Sequence, residues 1–156
     1  MIFWVEVNRN IGMGHLMECL ALAEEAEARG AGIHFVITPF EPAQALLRKL
    51  GRHYDTAPLD GGVEALEDFA PGKAPGMVVI DHRSVELAQL GQLRQRGWSV
   101  AVIDQLGNKP MICDMLFNAS LVADFRVYEF PEGLAECRFG PSFALLRSEF
   151  AVLNGR

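Results

Sequence analysis

The chain is predicted to be an α/β protein, a parallel sheet flanked by helices, and three observations carry this. Apolar segments of strand length alternate with segments of helical period along 156 residues, the pattern of repeated βαβ units. The first apolar run, Ile2 to Val7, passes through the turn Gly12-Met13-Gly14 into a helical stretch from Leu16 to Arg29. Met77 to Asp81 is a short hydrophobic run bounded by Pro75-Gly76, as expected of a strand buried on both faces.

The elements follow in order. Ile2 to Val7 is the first strand. In the first helix Leu16, Cys19, Leu20, Ala23 and Ala26 recur at three- and four-residue spacing, while Glu18, Glu24, Glu25 and Arg29 lie mostly on other faces, so one side packs and the Glu-rich back is solvated. Gly30 ends that helix. Ile33 to Thr38 reads as the second strand, Pro42 to Leu50 as the second helix and His53 to Ala57 as a short third strand. A weak third helix, Val63 to Phe69, precedes the Met77 strand. A fourth helix from Val85 to Arg96 leads to a strand from Ser99 to Asp104, and Met115 to Asn118 is the last strand. The stretch after it, including Ala123 to Glu136, is irregular and rich in aromatics and Glu; no element or function is assigned to it.

Composition limits the function. With 50% hydrophobic residues and no internal repeat, low-complexity tract or linker, residues 1–156 form one domain with enough apolar surface for a core. A net charge of −6 without a Lys/Arg cluster gives no footprint for nucleic acid, and no long uncharged apolar run suggests a membrane span. The apolar N-terminus has no basic region or cleavage site, and Glu6, Asn8 and Arg9 interrupt it early; it reads as a cytoplasmic first strand. Cys19, Cys113 and Cys137 are odd in number and widely spaced, which suits reduced thiols, with Cys19 in the core. The expected ligand is small.

Open parallel sheets bind ligands outside the carboxyl ends of their strands. The residues there are Asn8, Arg9 and Asn10, Thr38, Asp81, His82 and Arg83, Asp104 and Gln105, and Asn118. The glycine turn feeds a helix whose first N–H groups and positive end suit a phosphate or sugar diphosphate. That same positive end is expected to keep His15 neutral near neutral pH, making it a candidate general base. The plain alternative is a tight βα connection with His15 as an ordinary first-turn residue. Met17 stands where a third glycine would complete a dinucleotide fingerprint, and Thr38-Pro39 stands where an acidic residue would end the second strand. Nicotinamide or flavin binding therefore ranks low and no cofactor is expected. Asp81 and His82 are adjacent on a strand and point to opposite faces, which argues against a shared metal ion; Asp81 could equally cap the fourth helix. Ser120 and Ser142 lack the context of a nucleophile elbow.

Five blocks carry a family resemblance. They are Ile11-Gly12-x-Gly14-His15 with Cys19-Leu20-x-Leu22-Ala23; Val79-Ile80-Asp81-His82; Val102-Ile103-Asp104; Cys113-Asp114-x-Leu116-x-Asn118; and Gly140-x-x-Phe143-Ala144-Leu145-Leu146-Arg147-x-Glu149-Phe150. In this order the chain resembles the N-terminal half of the UDP-sugar hydrolases of pseudaminic acid biosynthesis, enzymes of surface-polysaccharide sugar supply that act on a UDP-linked diacetamido sugar. The resemblance implies one Rossmann-like half of a two-domain GT-B glycosyltransferase-type fold. It also implies that His15 is the catalytic base, with Asn10, Gly12, Gly14, Asp81, His82, Arg83, Asp104 and Asn118 binding substrate and no metal taking part.

The chain departs from the family pattern at Glu18, where Arg is common, at Arg83, where Tyr is common, and at Gln105, where a second acidic residue is common. Each exchange alters charge or shape at the rim. In the family the C-terminal half supplies most of the uridine and diphosphate binding, and this chain stops at Arg156. The expectation is a UDP-linked amino sugar as ligand, with a C-terminal half-domain or a second copy as partner. The alternative is a noncatalytic sugar-binding or assembly module.

Overall fold

A computed structural model describes residues 1–58, 61, 63–69, 75–107, 109–122, 128–133 and 135–146. Seven strands form one sheet: β1 (Ile2–Val5), β2 (His34–Ile37), β3 (Tyr54–Thr56), β4 (Met77–Asp81), β5 (Ser99–Ile103), β6 (Met115–Asn118) and β7 (Glu136–Phe139). Between them run α1 (Gly14–Ala28), α2 (Glu41–Lys49), α3 (Glu64–Asp68) and α4 (Leu87–Gln95). The strand order is β3-β2-β1-β4-β5-β6-β7 and every neighbouring pair is parallel, a Rossmann-like α/β fold. Parallel neighbours need crossover connections, and the helices supply most of them.

Alternation along the strands divides the core in two. Phe3, Val5, Phe35, Ile37, Val79, Ala101 and Ile103 face α1 and α2, together with Leu16, Cys19, Leu20 and Leu47. Ile2, Trp4, Val36, Val78, Ile80, Val100, Val102 and Leu116 face the other way, against Leu66, Leu90 and Leu93 of α3 and α4. Both faces of β1 and β4 are therefore buried, and this is why their sequences run apolar without alternation.

The helices stop where glycine permits it. After α1, the Gly30 N–H bonds Glu27 O and the Ala31 N–H bonds Ala26 O, with Gly30 at φ +88°; this double bond is a Schellman cap. The same pair of bonds closes α2 at Gly51 and Arg52, and α4 at Gly97 and Trp98. At its start α4 is fixed by Gln89, whose Oε1 accepts the Glu86 N–H at 2.9 Å.

The predicted elements are present with ends shifted by up to a few residues. One strand was not expected. β7 lies in the stretch read as irregular and pairs with β6 along its whole length, Met115 opposite Glu136 through Asn118 opposite Phe139. Of the region from Ala123 to Glu136, residues 123–127 and 134 lie outside the described residues, as does the end of the last resemblance block from Arg147 onward. Among the described residues no helix is long and apolar enough to cross a membrane.

Candidate functional site

The sheet order reverses direction between β1 and β4, and this topological switch point is where open α/β sheets leave a crevice at their carboxyl ends. Three segments meet there: the loop after β1, the first turn of α1, and the end of β4.

The loop after β1 is built on Asn8. Its Oδ1 accepts the N–H groups of Asn10 and Ile11, both at 2.9 Å, and the Gly12 N–H bonds Asn8 O at 2.8 Å. Gly12 closes this turn at φ +77°, a conformation that L side chains resist. Gly14 is different. It opens α1 without a positive φ, and a Cβ placed there would meet nothing within 4 Å, so the turn itself does not demand glycine at that position. Met13, the residue before α1, makes no side-chain capping bond to it. Asn10 is exposed at the loop tip and makes its bond through its backbone.

His15 is 9% exposed and Asp81 2%. The His15 Nδ1–H donates to Asp81 Oδ1, which leaves Nε2 as the ring nitrogen for a ligand. Asp81 ends β4 on the α1 side of the sheet; His82, one residue on, falls on the opposite face against Trp4, with ring centroids 4.9 Å apart. The opposite-face expectation holds for this pair. The lowering of the His15 pKa expected from the helix end does not. Its pKa is raised, first by the hydrogen bond to Asp81 and in spite of the desolvation that opposes it. Burial raises the Asp81 carboxyl as well, outweighing His15, so the pair holds its protons more tightly than either group would in water. Asp81 does not cap α4, whose preceding residue is Glu86.

His82 is neutral in this fold. Burial pushes its imidazole down to about 4, against the pull of Glu6, whose Oε2 stands 3.5 Å from Nδ1. Glu6 also accepts the Ser84 N–H at 3.1 Å and the Ser84 hydroxyl at 3.2 Å, tying the end of β1 to the loop after β4. Sequence reading treated Glu6 only as an interruption of an apolar run. Thr38, a rim candidate, is structural: its Oγ1 accepts the Val7 N–H at 2.8 Å and donates to Val7 O.

A narrow cleft of about 10 Å³ opens beside the pair, lined by His15, Asp81, His82, Arg83, Asp104, Gln105, Lys109 and apolar neighbours. That is the room of about one water. Arg83 is exposed at the rim. Lys109, for which the sequence offered no signal, donates to Arg83 O at 3.0 Å and to Val85 O at 2.8 Å, and burial lowers its pKa. Asp104 Oδ2 accepts the N–H groups of Leu106 and Gly107 at 3.1 and 2.7 Å and the Tyr128 hydroxyl at 2.7 Å. Asn118 is 1% exposed; its Nδ2 donates to the Tyr128 hydroxyl at 2.6 Å and its Oδ1 accepts the Ser120 N–H at 2.9 Å.

The structure thus brings His15, Asp81, His82, Arg83 and Asp104 to one cleft, while Asn118 is outside its lining and bonds Tyr128. Among the described residues no group of three or more His, Cys, Asp or Glu side chains is placed to hold a metal ion. A carboxylate-oriented imidazole of this kind can take a proton at Nε2 and keep the resulting charge paired. No protein-family model matches the sequence, and no curated protein matches it at a significant level.

Proposed function

We propose that the chain is the acceptor-side half of a nucleotide-sugar hydrolase, or of a related GT-B glycosyltransferase, acting on a UDP-linked amino sugar with His15 as general base. The observation that carries this reading is the buried His15–Asp81 pair at the switch point of a Rossmann-like sheet. In this mechanism Asp81 fixes the imidazole with Nε2 free, and Nε2 takes a proton from water as its oxygen attacks the anomeric carbon. The bond from that carbon to the diphosphate oxygen breaks and UDP leaves. A diphosphate is a good leaving group, so the chemistry needs a base more than an acid, and the transition state is oxocarbenium-like. Arg83, exposed on the rim, suits an anionic portion of the ligand. The cleft admits a water but not a sugar diphosphate, which fits a site whose remaining wall comes from a second domain or a second copy.

The test is UDP release from a panel of UDP-linked amino sugars, by the chain alone and by the chain with a family C-terminal half. Turnover that needs the added half and drops by roughly 10²–10⁴-fold in His15→Ala supports the reading; wild-type rates in that variant would remove His15 from the mechanism. A second reading, a noncatalytic sugar-binding or assembly module, draws on Leu121 and Val122, which are 82% and 48% exposed just past β6. Contiguous exposed apolar surface commonly marks a docking face. A well-folded protein with no UDP release in either mixture favours that module.

A further inference from the structure

Glu6 is buried just past β1, 3% exposed, and its carboxylate takes donors from two different loops. One is the β1–α1 loop. There Asn8 Nδ2 donates to Glu6 Oε1 at 3.3 Å, while Asn8 Oδ1 is occupied by the Asn10 and Ile11 N–H groups. The other is the β4–α4 loop, whose Ser84 N–H and hydroxyl both donate to Glu6 Oε2. The Glu6 N–H donates in addition to Asp81 O at 2.9 Å. One residue therefore joins the loop that leads into α1 and His15 to the segment that carries Asp81 and Arg83. The chemistry of this tie calls for an acid. Asn8 must turn its amide nitrogen to Glu6, because its oxygen is occupied, and the Ser84 backbone N–H can only donate. A glutamine carries one acceptor oxygen and one donating NH₂ group. Whichever way it is turned, it sets a donor against a donor at one of the two loops, in a place where an unmet polar group is costly. Lys109 separately fixes Arg83 O and Val85 O, so the β4–α4 loop is the anchored side of the tie and the Asn8 turn is the side that responds.

We infer that Glu6 is a positioning residue: by accepting from both loops it holds the Asn8 turn, and with it the entry to α1 and His15, in register with the segment of Asp81 and Arg83. The inference rests on the proposed reaction, whose base is the group being placed.

The experiment measures amide hydrogen exchange of the full chain by NMR at Asn10 and Ile11, whose N–H groups report the Asn8 turn. Ser84→Ala removes the hydroxyl bond on the far loop and should speed both amides about threefold, the size of a weak hydrogen bond. Glu6→Gln should speed them about tenfold. Ser84→Ala added to Glu6→Gln should then have no further effect, because the route between the loops is already cut. A role confined to overall stability predicts instead that the two substitutions act independently. Unchanged exchange in Ser84→Ala, or an equal effect of Ser84→Ala with and without Glu6, would overturn the inference; should Glu6→Gln not fold, the Ser84→Ala comparison decides alone. In the UDP-release assay with the added C-terminal half, folded Glu6→Gln is expected to lose roughly tenfold to a hundredfold in kcat. A wild-type kcat would sink the positioning role and leave the proposed reaction standing. Faster exchange as expected, with no UDP release even from the wild type, would keep the tie between the loops and remove the reaction.

Discussion

At His15 a tertiary contact reverses a local electrostatic expectation. The end of a helix shifts a charge by about 0.3–1 kcal/mol, whereas a hydrogen bond to a charged partner contributes about 1.5–3 kcal/mol, so Asp81 outweighs the α1 dipole. His82 shows the opposite environment: among the described residues no hydrogen bond reaches either ring nitrogen. Its folded value of about 4 lies below the ordinary 6.5, so the unfolded chain takes up the proton first and stability falls as pH drops between those values. The loss approaches about 3 kcal/mol. His15 works the other way, its contribution being full at low pH and lost as pH rises through its raised value. Urea unfolding at neutral pH and near pH ~4.5 should therefore show an acid-side loss in wild type that His82→Leu largely lacks; parallel losses in both proteins would assign the effect elsewhere. Gly14 separates turn geometry from ligand access. With open space at its Cβ, Gly14→Ala should leave the melt unchanged or raise stability by about 0.5–1 kcal/mol. If the ligand approaches the start of α1 closely, the same variant should bind sugar more weakly; a loss of stability would instead show that the turn needs glycine there.

The elements that sequence patterning found are those whose pattern is long or whose ends are chemically marked. β1 and β4 announce themselves as apolar runs, and α1, α2 and α4 end at Gly30, Gly51 and Gly97, where the chain must leave the helical conformation. β7 carries no such mark. It is four residues, Glu-Cys-Arg-Phe, none fully buried, and its alignment is set by β6 and by the aromatic stack of Tyr128 on Phe130 and Phe139. Tyr128 joins this edge to the rim, since its hydroxyl bridges Asp104 at the end of β5 and Asn118 at the end of β6. Tyr128→Phe should cost about 1–3 kcal/mol by leaving the buried Asn118 amide without its acceptor, read as a lower melting temperature. An unchanged melt would mean that Asn118 and Asp104 find other partners.

Across the whole molecule, stability should be graded from the middle of the sheet outward. β1 and β4 are hydrogen-bonded on both sides and covered on both faces, whereas β3 and β7 are edges. Native-state hydrogen exchange is expected to be slowest in β1 and β4 and fastest in β3 and β7; equal protection throughout would show a single cooperative unit without sub-global opening. The site sits at the carboxyl ends of the two central strands, β1 and β4. The sequence by itself determined the α/β class, the parallel sheet and the main helices, because hydrophobic period and glycine position are local properties of the chain. Only the tertiary structure decided that His15 meets Asp81 across 66 positions, that Glu18 meets Gln105 across 87, and that Asn118 serves Tyr128 and not the cleft. Those pairings depend on strand order, and strand order is set by how the two faces of the sheet bury their apolar surface, which no local window of sequence contains.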